Sequence, residues 1–262
     1  GEGDSTYYNS SAPHGMIAVG GENCLFYAIV LNPTGEPIPE ISGEDFKILP
    51  NRTETPDEPE VHRVYENFVY PVEDEGGALQ SISFKDEDMF NFAFDVVDAL
   101  GTEKPDKLAM LHVAMDKTVR RFTFSDMKHM SSRAANYFKS LGIKRGDKVM
   151  LVLRRNWQYW PILVGLHKLG AVAIPATDQL LKKDYEYRFA AAGVSAIVCT
   201  TFGEAADHIE EALETSPSVR TKIIVDGKRP GWRCFDDEYE LYRSTYPRYD
   251  DAPCGDDPML MY

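Results

Sequence analysis

The sequence predicts an α/β fold in which a mostly parallel sheet is flanked by helices, with a small β-rich extension at the N-terminus. Two observations lead to this prediction. Short apolar segments typical of buried strands recur through the second half of the chain, and segments with helical periodicity separate them. Such an alternation requires right-handed crossover connections, which place helices on both faces of the sheet. With 262 residues and 43% apolar residues, the chain can bury a substantial core.

The N-terminal part has a different character. Residues 1–80 contain β-like runs rich in Val, Ile, Phe and Tyr, followed by a polar, acidic stretch that Pro residues interrupt. The runs are GMIAVGG and CLFYAIVLN, and the acidic stretch is NRTETPDEPEVH. We interpret residues 1–80 as a β-rich extension and acidic linker without an assigned role, and residues 81–262 as the second domain.

The second domain opens with a helix, a strand pair and a longer helix. DEDMFNFAFDVVDALG predicts a helix with Asp86 as its N-cap and Gly101 after its last turn. KLAMLHVA and RRFTF predict two adjacent strands. Ser125 is the predicted cap of the longer helix, which ends at Gly142. Its apolar side chains recur at spacings of three and four, at Met127, Met130, Ala134, Phe138 and Leu141.

Strands and helices then alternate to the end of the sequence. The predicted strands are KVMLVL, AVAIP, SAIVCT and TKIIVDG. The predicted helices are NWQYWPILVGLHKLG, LKKDYEYRFAAAG, EAADHIEEALE and DDEYELYRST. The last five residues, PMLMY, are typical of the opening of one more buried strand.

Composition argues against several classes of function. The net charge is −14, and although residues 101–200 are net basic, their acidic flanks would repel nucleic acid. No apolar run is long enough to predict a membrane span. The four Cys and six His lack metal-ligand spacing, so we assign no metal site and no catalytic residue. His112 lies in an apolar strand and is interpreted as a hydrogen-bonded core residue rather than a base. The absence of a leader-like N-terminus and of paired cysteines favours a cytoplasmic protein.

One loop combines the position and the chemistry of a binding site. In AVAIPATDQLLKKDYEYR a buried strand runs into a polar loop and then a helix. Ligands of α/β folds bind at loops that leave the carboxyl ends of parallel strands. Gln179 offers amide donors and an acceptor, and Lys183 and Arg188 follow it. Ordinary loop and helix-surface polarity is the alternative interpretation of the same residues.

These segments resemble the N-terminal part of the acyl-adenylate-forming, or AMP-binding, enzymes, which include the acyl-CoA synthetases. FTFSDM is similar to the first core motif of that family, and LHKLGAVAIP is similar to the second. PATDQLLKKDYEYR most resembles the medium-chain acyl-CoA synthetase branch. The resemblance covers roughly residues 86–262. TTFGEAADH has no Arg where the acetyl-CoA synthetases hold coenzyme A with Arg, so an acetate-specific assignment is disfavoured.

The resemblance implies an enzyme that converts a carboxylic acid and ATP to an acyl-adenylate, with Mg²⁺, and then transfers the acyl group to coenzyme A. It implies that Gln179 contacts coenzyme A. Arg188 and Lys183 are candidates for a nearby phosphate, without a motif match. In such enzymes a strand like PMLMY precedes the phosphate-binding loop. The chain is therefore expected to be the N-terminal piece of a longer synthetase, inactive by itself and without a tightly bound cofactor.

Three alternatives or consequences accompany this interpretation. The chain could instead belong to an aryl- or amino-acid-activating enzyme of the same superfamily. It could also be a non-catalytic α/β module that binds a nucleotide or a protein. If a following subdomain is missing, apolar surface is exposed, and the chain is expected to self-associate through that face.

Overall fold

A five-stranded parallel sheet with helices on both faces forms the centre of the structure, which confirms the predicted fold class. The computed structural model describes residues 64–86 and 88–261. Its strands are β1 (Val69–Glu73), β2 (Leu79–Phe84), β3 (Leu108–Val113), β4 (Val119–Thr123), β5 (Lys148–Val152), β6 (Val172–Pro175), β7 (Val194–Thr200), β8 (Thr221–Val225) and β9 (Arg233–Cys234). Its α-helices are α1 (Ala99–Glu103), α2 (Phe124–Ser140), α3 (Tyr159–Leu169), α4 (Lys182–Ala192), α5 (Ala205–Leu213) and α6 (Phe235–Glu238).

Part of the N-terminal prediction falls outside this description. The strand-like runs GMIAVGG and CLFYAIVLN and the whole acidic stretch NRTETPDEPEVH lie outside the described residues. The described part begins with a short 3₁₀ turn, Val64–Asn67, and the antiparallel hairpin β1–β2. The division of the chain at residues 80 and 81 stays a prediction.

The parallel sheet has the strand order β6-β5-β7-β8-β9. The C-terminal segment joins its outer edge beside β6, because the Ala173 N–H donates to the Met259 carbonyl at 3.0 Å and the Met261 N–H donates to the Ala173 carbonyl at 3.0 Å. Leu260 packs against the core at this edge. The strand-like character predicted for PMLMY is therefore matched by parallel pairing at Leu260.

Side chains of β5 point alternately to the two faces of the sheet, which explains why helices cover both faces. Val149 and Leu151 point to one face, where α2 and α3 pack, whereas Met150 and Val152 point to the other face, beneath α4 and α5. All four side chains have no exposed surface. A strand buried on both faces must be apolar at every buried position, and after the partly exposed Lys148 this is what the run VMLVL encodes.

The order in which successive strands are added to the sheet reverses at β5, since β6 lies on one side of β5 and β7 and β8 lie on the other. The connection after β5 passes through α3 on the first face to reach β6, and the connection after β7 passes through α5 on the second face to reach β8. β5 and β7 are neighbours in the sheet, and the loops that follow them therefore lead to opposite faces of it. In open parallel sheets this is the topological switch point, where a crevice for ligands forms.

Two helix starts differ from the sequence prediction. The first helical stretch begins with a π-helical segment, Ala93–Asp98, rather than at Asp86. Asn91 caps it, because its Oδ1 accepts from the Ala93 N–H at 3.0 Å while its own N–H donates to Asp95 Oδ2 at 2.7 Å. α2 is likewise capped by Thr123 and Asp126 in a reciprocal capping box, not by Ser125.

The crossing of α2 and α3 provides a test of the fold. A Cβ at Gly165 would lie 2.8 Å from the Ala134 Cβ and 2.8 Å from the Ser131 carbonyl oxygen. Gly165→Ala is therefore expected to lower the free energy of unfolding by about 1–3 kcal/mol, although alanine favours helix formation by about 1 kcal/mol. Urea unfolding measures the change, and Ala190→Gly, at an exposed position of α4, calibrates the helix propensity. A Gly165→Ala variant at least as stable as the wild type would contradict this close packing.

Candidate functional site

A cleft of about 600 Å³ opens at the carboxyl ends of β5 and β6. Leu153 and Pro175 line it at the ends of the two strands, and β3 and the start of α3 form its walls. Trp157 and Trp160 line it, and the Trp157 ring stacks on Phe122 at 5.5 Å between ring centroids. The cleft therefore has aromatic and apolar walls and lies beside the topological switch point, as expected for a ligand site.

A hydrogen-bonded network fixes the loops after β5 and β8 next to this cleft. The buried Gln158 donates from Nε2 to Asp226 Oδ1 at 2.6 Å and to Asp236 Oδ1 at 2.8 Å. Asn156 Nδ2 donates to Asp226 Oδ2 at 2.5 Å, and the Asp226 N–H donates to Asp236 Oδ2 at 2.7 Å. Thr201 Oγ1 donates to the Asp226 carbonyl at 2.9 Å, which adds the loop after β7.

The role of this network is to hold the loops in place. Both carboxylates accept hydrogen bonds from amide groups, which hold the loops together across the end of the sheet. Asp226 has a left-handed backbone with φ of 55°, a conformation that Asp tolerates better than most residues. The network thus gives the crevice a rigid rim.

Arg154 is a second link across the rim. Its Nε lies 3.2 Å from Asp178 Oδ2, and its guanidinium carbon lies 4.4 Å from the centroid of the Phe202 ring. Arg154 follows β5, Asp178 follows β6 and Phe202 follows β7. One side chain therefore contacts the loops on both sides of the central strand.

His112 lies at the cleft wall and is only partly buried. Its Nε2 lies 2.8 Å from the Arg155 carbonyl oxygen, so Nε2 carries a proton and donates. Its Nδ1 is buried without a hydrogen-bond partner among the described residues. The predicted hydrogen bond is present, but the ring borders the cleft instead of lying within the core.

The three predicted binding residues lie on the loop after β6 and on α4. Gln179 is exposed, and its N–H donates to Thr177 Oγ1 at 3.3 Å. Thr177 lines the cleft, whereas Gln179, Lys183 and Arg188 do not. Lys183 is exposed in the first turn of α4, and Arg188 Nη1 donates to the Asp184 carbonyl at 3.3 Å. Lys183 and Arg188 are five positions apart and so do not share a face of the helix.

Sequence reasoning missed Arg154, Asn156 and Gln158. The available signal was the polar run RRN immediately after the buried strand KVMLVL, a place where α/β folds position ligands. Among residues 64–86 and 88–261, no three His, Cys, Asp or Glu side chains come together in a metal-binding arrangement. In the same ranges, no helix is both long and apolar enough to cross a membrane.

Comparisons with known proteins identify the family and agree with the fold. A family model described as "AMP-binding enzyme" matches residues 98–262. The chain is 35% identical over 167 residues to the mitochondrial acyl-coenzyme A synthetase ACSM5 of Rattus norvegicus, a match that covers 61% of the chain and 28% of that protein. It is 32% identical over 181 residues to the mitochondrial ACSM4 of the same organism, covering 66% and 30%. The chain thus spans less than a third of the length of these relatives.

Two solved structures share the fold. The acyl-CoA synthetase of Brucella canis aligns with a TM-score of 0.56 at 21% identity, covering 66% of this chain and 31% of that chain. The N-terminal domain of FACL13 from Mycobacterium tuberculosis aligns with a TM-score of 0.57 at 21% identity, covering 66% and 41%.

The comparisons also correct one prediction. The relatives ACSM5 and ACSM4 are named mitochondrial, which contradicts the expected cytoplasmic location. That expectation used the N-terminal residues and the cysteine spacing, and cysteine spacing does not distinguish one reducing compartment from another. Because the family match covers residues 98–262, well over half of the sequence, the chain belongs to the AMP-binding enzyme family.

Proposed function

We propose that this chain is the N-terminal portion of an ATP-dependent acyl-CoA synthetase, an AMP-forming acid–thiol ligase. The match of residues 98–262 to the AMP-binding family carries the proposal, and the similarity to ACSM5 supports it. We place the protein in fatty acid metabolism, with a mitochondrial location like that named for its relatives.

The reaction has two steps. A carboxylate oxygen of the acid attacks the α-phosphorus of ATP, which forms the acyl-adenylate and releases pyrophosphate. The sulfur of coenzyme A, having lost its proton, then attacks the acyl carbonyl carbon, which forms the thioester and releases AMP. Mg²⁺ would neutralise phosphate charge in the first step. We place no Mg²⁺ ligand among the described residues, where no suitable cluster occurs.

Within this scheme the described residues would bind and orient coenzyme A. Gln179 is exposed on the loop after β6, close in sequence to the cleft residue Thr177, and its side-chain amide makes no hydrogen bond to the described residues. An amide in that position can both donate to and accept from a ligand. Lys183, exposed in the first turn of α4, and the half-buried Arg188 would add positive charge for phosphate groups.

Gln179→Ala tests this assignment. The substitution is expected to weaken coenzyme A binding about tenfold, since a hydrogen bond to a charged ligand contributes about 1.5 kcal/mol. Titration calorimetry with coenzyme A, on a longer polypeptide that continues past Tyr262, gives the dissociation constant. Gln80→Ala, an exposed glutamine on β2, is the matched control. An unchanged dissociation constant in Gln179→Ala would remove Gln179 from the site.

The overall reaction is tested by carboxylate-dependent pyrophosphate release. We expect release from the longer polypeptide and none from the 262-residue chain alone. Pyrophosphate release from the 262-residue chain would contradict the proposal that this portion alone does not form the adenylate. If neither polypeptide releases pyrophosphate with any carboxylic acid, the chain is better described as a non-catalytic binding module.

A further inference from the structure

We propose that Arg154 is a positioning residue that holds the loop after β6 in place for coenzyme A. The inference rests on the proposed function for its ligand, but its structural basis is independent. It concerns the segment from Thr177 to Leu181, which begins at the cleft and includes Gln179.

The position of Arg154 follows from the strand order. β5 lies between β6 and β7 in the sheet, so a side chain just after β5 can reach the loops on both sides. Arg154 does so, with Asp178 Oδ2 at 3.2 Å on one side and the Phe202 ring at 4.4 Å on the other. Its side chain is 49% exposed, while that of Asp178 is 19% exposed. The pair is therefore partly shielded from solvent on the Asp178 side.

The loop after β6 is held to the core by Leu180 and to α4 by the Leu181 N–H, which donates to Asp184 Oδ2 at 3.1 Å, but neither contact links it to the loops after the neighbouring strands. The loops after β5, β7 and β8 share the network of Asn156, Thr201 and Asp226. In the part of the chain that the structure describes, the contact between Arg154 and Asp178 is the one polar side-chain link from the Thr177–Leu181 segment to the neighbouring strand loops. Loss of that contact would free the segment from the rigid rim.

The charge of Arg154 has a second effect. Asp178 directly precedes Gln179, and coenzyme A carries several phosphate charges. An unpaired Asp178 carboxylate would repel such a ligand, whereas the guanidinium neutralises it. A guanidinium also stacks on an aromatic ring and keeps a fixed plane, which a lysine ammonium cannot reproduce. The residue type therefore matches both the ion pair and the ring contact.

The first test needs no ligand. Amide ¹⁵N order parameters of Asp178, Gln179 and Leu180 are expected to fall in Arg154→Ala from the rigid level of about 0.85 towards about 0.6. Arg154→Lys should give intermediate values, because it keeps the charge but not the planar stacking. Arg155→Ala is the matched control, since the neighbouring Arg155 side chain forms no ion pair with the described residues. Unchanged order parameters in Arg154→Ala would overturn the inference.

The second test uses coenzyme A and the longer polypeptide. Arg154→Ala is expected to raise the dissociation constant for coenzyme A three- to tenfold, and Arg154→Lys should raise it less, because lysine keeps the positive charge beside Asp178. Asp178→Asn should loosen the same loop but raise the dissociation constant less, because it also removes the repelling charge. An unchanged dissociation constant for coenzyme A in Arg154→Ala would contradict a positioning role. If the wild type fails to bind coenzyme A while the order parameters fall as expected, the proposed function is wrong and the structural link stands.

Discussion

Replacing Asp98 by alanine is expected to lower the free energy of unfolding by about 3–5 kcal/mol near pH 7, the cost of breaking a buried ion pair by removing one partner. The Lys168 side chain is fully buried, and its Nζ lies 2.7 Å from Asp98 Oδ1. It also donates to Ser132 Oγ at 2.9 Å and to the Lys128 carbonyl at 3.3 Å. Without Asp98, a buried ammonium keeps two neutral acceptors but has lost its counter-charge. Chemical unfolding of the wild type and the variant measures the difference.

The ion pair of Asp98 and Lys168 is expected to stabilise the folded protein no more than an apolar pair of similar size would. Burial raises the pKa of Asp98 and lowers the pKa of Lys168, and in both cases it outweighs their mutual attraction. Dehydration of the two charges therefore costs more than their pairing returns. The double variant Asp98→Leu with Lys168→Met should consequently recover most of the stability that Asp98→Ala loses.

A surface pair provides the control. Lys228 Nζ lies 2.6 Å from Asp237 Oδ2, but both side chains are mostly exposed. Asp237→Ala should leave the unfolding midpoint nearly unchanged, because exposed ion pairs are screened by water and salt. If Asp98→Ala is as mild as Asp237→Ala, the buried pair is not the structural constraint that its geometry indicates.

This ion pair also connects the fold to the candidate site. Asp98 ends the π-helical segment Ala93–Asp98, while Lys168 lies in the last turn of α3. α3 in turn begins at the cleft with Tyr159 and Trp160. Anchoring the far end of α3 in the core therefore helps to fix the orientation of the helix whose first turn forms the cleft wall.

The parts of the fold that could be predicted from the sequence are those that local patterns determine. Buried strands require continuous apolar runs, and helices require a repeating apolar face with a residue such as Gly193, in the left-handed conformation, after the last turn. The predicted helix LKKDYEYRFAAAG and strand SAIVCT therefore match α4 and β7 closely.

The helix starts were less predictable because several side chains compete to cap them. Asp86 precedes acidic residues and was the expected cap, yet five residues later the Asn91 side chain accepts from the Ala93 N–H while Asp95 accepts from the Asn91 N–H. Thr123 replaced Ser125 for the same reason, since Asp126 lies three positions after it and completes the capping box.

The contacts at the rim of the site could not be predicted from local sequence patterns. Arg154 and Asp178 are separated by a helix and a strand, and Phe202 follows another helix and strand. Their contact depends on β5 lying between β6 and β7, an order that no local pattern specifies. Gln179 was predicted from its position after a strand and from family resemblance, whereas a role for its neighbour Asp178 is proposed only from that long-range pairing.

Acidification from pH 6.5 to pH 4 is expected to destabilise the protein through His167. Burial lowers the pKa of His167 to about 4, and the attraction of Asp257 opposes this only partly. The unfolded chain therefore binds a proton near pH 6.5 that the folded chain does not bind until about pH 4. The stabilisation is fully present above pH 6.5 and is lost as the pH falls through this window. A difference of that size corresponds to about 3 kcal/mol in the free energy of unfolding.

His167→Gln should remove this dependence, because glutamine does not titrate. The free energy of unfolding of this variant should fall much less than that of the wild type between pH 6.5 and pH 4. Asp257, whose pKa is lowered by hydrogen bonds from Arg145, acts below that window, and Asp98, whose pKa burial raises, contributes to both curves alike. Urea unfolding at half-unit pH steps measures both curves, with His208→Gln on α5 as the matched substitution. If the free energy of unfolding falls equally in His167→Gln and in the wild type between pH 6.5 and pH 4, His167 does not control acid stability.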